Sequence, residues 1–99
     1  MNDYFDFYSV HIYAKRKGDL YHALGGKTED IRKKIKTNKL GMKNGYPVKE
    51  YEYVVGYVDI ANIGAVKASE RAEKIAEPFR TYPLIRTYVK YHCRWFTIF

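Results

Sequence analysis

Two adjacent side chains, His92 and Cys93, pair a base with a nucleophile, which is the composition of a thiolate–imidazole dyad. Successive residues of a strand point to opposite faces, so within the strand expected there the two cannot share a hydrogen bond, and no such dyad is expected. His11 and His92 would share a sheet face if their strands were neighbours. Two imidazoles without a third ligand do not make a metal site, and His22 has no visible partner, so no metal is expected. Glu50 and Glu52 fall on one face of a strand and Asp59 on the other, which argues against three carboxylates converging on magnesium. Glu70, Glu73 and Glu77 read as a solvated helix face. Gly25-Gly26-Lys27-Thr28 opens a helix in the manner of a phosphate cradle but lacks the upstream glycine of a complete P-loop. No catalytic residue and no cofactor are expected from these patterns.

Cationic and aromatic residues form the more informative combination. The net charge is +7, and residues 15–49 carry eleven Lys or Arg against three acids, whereas the remaining chain is nearly balanced. A concentrated positive field attracts nucleic acid or another polyanion. A helix over residues 28–39, capped by Thr28 and complemented by Glu29 and Asp30, would turn a narrow Ile31–Ile35 stripe inward and leave Arg32, Lys33, Lys36 and Lys39 outside, with Lys43 just beyond. In the last strand Tyr88, Lys90, His92 and Arg94 share one face and mix stacking rings with phosphate-binding groups. These nine residues are the expected nucleic-acid-binding set. The alternative is that the tyrosines pack beneath a helix or in a subunit interface.

The elements that would position them follow from periodicity. Residues 4–14 alternate as a strand, with Tyr8, Val10, Ile12 and Ala14 on one face and Ser9, His11 and Tyr13 on the other. Phe5 and Phe7 lie on the parity opposite to Tyr8, which calls for either a bulge or two covered faces. A single helical turn is expected over residues 19–24, and Gly41 and Asn44-Gly45 break the chain. Residues 51–60 read as a strand, with Tyr51, Tyr53, Val55 and Tyr57 on one side. Ala65, Ala68, Ala72, Ile75, Ala76 and Phe79 recur at helical spacing, and Pro78 marks the end of that helix. Residues 84–99 alternate as a long final strand whose apolar end, Trp95 to Phe99, would be central in the sheet or buried in a dimer. The order β-α-β-α-β implies a single α+β domain over residues 1–99, with a mostly antiparallel sheet and helices packed on it.

A lone Cys93 excludes an intramolecular disulfide, and the chain offers neither a membrane span of roughly 18–20 apolar residues nor a signal peptide, so a cytoplasmic, unexported protein is expected. Eleven Tyr, abundant Lys and Ile, no Gln and one Cys in 99 residues resemble the small proteins of filamentous viruses that infect hyperthermophilic archaea, of the Acidianus filamentous virus 1 type. That resemblance implies an intracellular viral accessory protein, commonly dimeric, and carries over no site residue. The stretch Asn38-Lys39-Leu40, leading through a glycine-containing turn to a Tyr-rich strand, is similar to RelE-like ribonuclease toxins, although the helix at residues 65–79 departs from their continuing sheet. The expected function is non-enzymatic binding of DNA, RNA or a host protein, as a homodimer. A metal-independent ribonuclease is the enzymatic alternative.

Overall fold

A computed structural model describes residues 3–96, with the side chains of residues 6–93. The chain runs β1 (Asp3–Ala14), α1 (Lys17–Ala23), α2 (Glu29–Lys34), β2 (Lys36–Lys43), β3 (Tyr46–Asp59), α3 (Ile60–Ile63), α4 (Ala65–Ala76), a 3-10 turn (Glu77–Thr81) and β4 (Arg86–Phe96). Four antiparallel strands make one sheet in the order β2-β3-β1-β4. The connection from β1 to β2 leaves a gap that β3 fills, and the connection from β3 to β4 leaves one that β1 fills. This is the split β-α-β, or ferredoxin-like, connectivity, and it fulfils the expectation of an α+β domain.

The expected helix over residues 28–39 ends at Lys34. Ile35 already has extended backbone, with φ −72° and ψ 127°, and Lys36, Lys39 and Lys43 stand on β2 instead. The physical reason lies downstream. Asn44 (φ 52°) and Gly45 (φ 80°) form a two-residue hairpin turn of the kind that needs positive φ at both positions, and it folds β2 back onto β3. The ladder then satisfies backbone groups that a helix with only two apolar residues in its stripe could not bury. The final strand lies at the sheet edge, beside β1 only, so its expected central place is corrected; β1 and β3 are the central strands. The side chains of Trp95 to Phe99 lie outside the described residues.

All of the packed helices lie on one face. Val10 and Val58 meet Ala68, Ala72 and Ala76 of α4, while Ile12 and Ala14 meet Leu20 of α1 and Ile85. Because the three alanines are fully buried, α4 approaches the sheet closely, and a Cβ placed on Gly56 would already lie 3.5 Å from Ile75 Cδ1. Ala72→Leu is therefore expected to cost about 1–3 kcal/mol by overpacking. An urea titration checks this, and an unchanged midpoint would show slack between α4 and the sheet.

The sequence left a bulge in β1 open. The β1–β4 register is continuous from Asp3↔Phe96 to Tyr13↔Arg86, so β1 itself is regular. The extra residue sits on β3, where Val10 opposes Gly56 and His11 opposes Val54, leaving Val55 unmatched. Beyond this bulge the parity of β3 inverts. Tyr57 therefore leaves the face of Tyr51 and Tyr53, and Asp59 joins the face of Glu52, contrary to simple alternation.

Candidate functional site

Opposite the helices, the sheet presents a face that no described helix covers. Strict alternation in β1 places Phe7, Ser9, His11 and Tyr13 there, and pairing adds His92, Lys90, Tyr88 and Arg86 from β4 and Tyr57, Val54 and Glu52 from β3. Lys36 joins at the far side, opposite Glu52. His11 and His92 thus share a face, because their strands are neighbours.

At the middle of this face is a chain of polar contacts. His92 Nε2 and His11 Nε2 each lie 2.6 Å from Ser9 Oγ, and His11 Nδ1 lies 2.5 Å from Glu52 Oε2. Asn38 Nδ2 donates to Glu52 Oε1 at 2.8 Å, Tyr13 OH donates to Oε2 at 3.3 Å, and Lys90 Nζ donates to Tyr13 OH. With both imidazoles neutral, the directions follow from donor counting. Glu52 accepts from His11 Nδ1–H, so His11 Nε2 accepts from the Ser9 hydroxyl, whose oxygen accepts from His92 Nε2–H. One proton added at His92 can pass through Ser9 to His11 without any heavy atom moving far.

The chain is nearly dry although it lies on an uncovered face. Ser9 is 1% exposed and His11 and Tyr13 are each 8% exposed. Long neighbours roof them: the Lys90 ammonium is 5.2 Å and the Arg86 guanidinium 5.6 Å from the Tyr13 ring centre, and Tyr88 meets Tyr13 edge-on at 5.6 Å. Burial by itself would push the Glu52 carboxyl up. The hydrogen bonds from Asn38 and His11, helped by the charge of Lys90, outweigh that and hold it below the usual glutamate range. Lys90 is raised, chiefly by its hydrogen bond to Tyr13, and stays a cation.

Beside the polar chain lies an aromatic group. Phe7 stacks on His92 at 4.5 Å with an interplanar angle of 11°, and its ring centre is 6.0 Å from Tyr57. Tyr57 is 68% and Tyr88 45% exposed. A depression of about 530 Å³ opens among Phe7, Ser9, His11, Tyr57 and His92 at the β4 edge. Ser9, His11 and Glu52 have the order of a nucleophile, base and orienting acid. A hydroxyl on so buried a residue lacks the exposure that attack on an incoming acyl carbon requires.

Of the expected binding residues, Tyr88, Lys90, His92 and Lys36 come together on this face. Arg94 has the right register, opposite Phe5, but its side chain lies outside the described residues. Arg32 and Lys33 are exposed on α2, which belongs to the helix layer through Ile35, and Arg32 is engaged by Glu29 at 3.3 Å. Lys39, opposite Lys49, has the parity of Thr37 and faces away from Glu52, while Lys43 closes the outer hairpin. The Gly25–Thr28 stretch leads into a helix of only six residues, where Thr28 Oγ1 accepts from the Ile31 amide. Phe7, Tyr57, Ser9, Asn38 and Glu52 were missed as site residues. The signal for the first and third was the shared parity of residues 7, 9, 11 and 13; Tyr57 needed the β3 bulge. Comparison with protein-family models, curated proteins and solved structures finds no match for this chain.

Proposed function

We propose that the chain binds single-stranded nucleic acid on the uncovered sheet face. The observation that carries this reading is the pair of exposed rings, Tyr57 and Tyr88, with the half-buried Phe7 beside Tyr57, on a four-stranded antiparallel sheet whose helices all pack behind it. Unpaired bases stack on such rings, and splayed single strands are read on open sheets of this kind. Fold alone would not support it, because split β-α-β sheets host many activities.

The supporting charge is smaller than the total of +7 suggests. Arg86 is paired with Glu50, and Lys90 is hydrogen-bonded to Tyr13 near Glu52, so stacking rather than ion pairing would supply most of the affinity. Fluorescence anisotropy with a labelled uridine 12-mer at low salt is the test. Phe7→Ala and Tyr57→Ala are each expected to weaken binding by about 1–3 kcal/mol, roughly 5- to 150-fold in Kd. Two or three phosphate contacts would give a salt slope of about −1.4 to −2.1. Affinity indifferent to both substitutions, or absent at low salt, refutes the reading.

A further inference from the structure

We infer that a cleft at the Tyr13 end of the open face takes the terminal phosphate of the strand lying across that face, so that the chain recognises a phosphorylated end as well as stacked bases. This inference rests on the nucleic-acid reading above.

β1 leaves the sheet at Ala14, and the turn towards α1 begins with Lys15 and Arg16. Those two residues line a cleft of about 520 Å³ together with Arg86 of β4, Leu40 of β2 and Leu84. Its volume falls in the range of small-ligand sites. Lys15 and Arg16 are exposed, and neither side chain has an ion pair or a hydrogen bond among the described residues. Arg86 adds a cation that is already held in place. Glu50, itself buried in the lining, pairs with its guanidinium, which also lies 5.6 Å from the Tyr13 ring centre and 5.8 Å from that of Tyr88. A guanidinium has several N–H donors, and Glu50 is the one acceptor it bonds among the described residues. A fixed arginine with donors to spare is suited to phosphate oxygens.

The lining also selects the kind of phosphate. Lys15, Arg16 and Arg86 face two carboxylates there, Glu50 and Asp19, and Glu50 is engaged by Arg86. An internal phosphodiester carries a single charge, whereas a terminal phosphate carries about −1.5 to −2 at pH 7 and offers more acceptor oxygens. The rest of the lining, with Asp19, Pro83, Leu84 and Leu40, offers no further cation to a backbone that continued past it. Tyr13 and Arg86 belong both to the cleft and to the open face, so a strand stacked on Tyr57 and Tyr88 reaches the cleft without leaving that face. Leu40 and Leu84, 59% and 60% exposed, present apolar surface to the last sugar and base.

Uridine 12-mers labelled on an internal base, with a 5′-phosphate, a 3′-phosphate or hydroxyls at both ends, are titrated with the full-length chain at neutral pH and low salt. A phosphate at one end, and not at the other, is expected to tighten binding about 10- to 100-fold, the range of hydrogen bonds to a charged group. Arg16→Ala is expected to remove most of that gain. Lys67→Ala, which takes a positive charge from α4 on the helix-covered side, is expected to keep it. Both side chains are exposed, so neither substitution disturbs the core. Equal Kd values for the three strands overturn the inference and spare the binding reading, whereas no binding of any strand overturns both. A gain of the same size from either end, one that survives Arg16→Ala, or one lost equally in Lys67→Ala also overturns it.

Discussion

Replacing Glu52 by leucine is expected to lower the unfolding free energy at neutral pH by about 3–5 kcal/mol, the usual result of removing one member of a buried, hydrogen-bonded charged group. The carboxylate accepts from His11 Nδ1, Asn38 Nδ2 and Tyr13 OH, so its removal leaves three donors on two strands, β1 and β2, without their acceptor. A leucine fills similar space but satisfies none of them. The effect has a pH signature whose sign is fixed by the direction of the Glu52 shift. Its carboxyl is lower in the folded chain than in the unfolded one, so the stabilisation is fully present above the unfolded glutamate value of about 4.3. It is lost as pH falls through the lower, folded value. The gap between the two proteins in urea titrations should therefore narrow as pH falls from 7 towards 3. A gap that stays constant would mean that the leucine acts by packing and not through the lost charge.

The sheet was legible where one local pattern sufficed. Alternation at residues 8–14 fixed β1 and its buried face, and the alanines of α4 fixed the helix that covers it. β2 was not legible, because KTNKLGMK carries no alternation and its neighbour Thr28 caps a genuine helical turn. Its strand character comes from the Asn44-Gly45 turn and from pairing with β3, both of which act from outside the segment. The site divides in the same way. That His11 and His92 could meet followed from parity once their strands were taken as neighbours. Glu52 joined them through a β1–β3 register that no local signal specifies, and Tyr57 through one extra residue at Val55. The positive charge of residues 15–49, the most conspicuous feature of the composition, is dispersed over α1, α2 and an edge hairpin rather than gathered into one helix face.

On the opposite face of β1, Ile12→Ala is expected to cost about 2–5 kcal/mol. Ile12 is fully buried between Tyr53 on β3 and Thr87 on β4, and it packs into the cluster built by Leu20 and Ile85. Truncation removes the branched end of a side chain that α1 cannot follow inward, since Leu20 is itself fully enclosed. The residue is adjacent in sequence to His11, yet the two penalties should differ in kind. Loss of apolar contact involves no proton, so the Ile12→Ala gap in urea midpoint should remain the same from pH 7 to pH 3, while the Glu52→Leu gap narrows. The two faces of a single strand can thus be separated by titration. If the Ile12→Ala gap also closed in acid, burial on the helix side and the polar chain would have to be coupled through β1, and the helix-backed face would not be an independent scaffold for the open one.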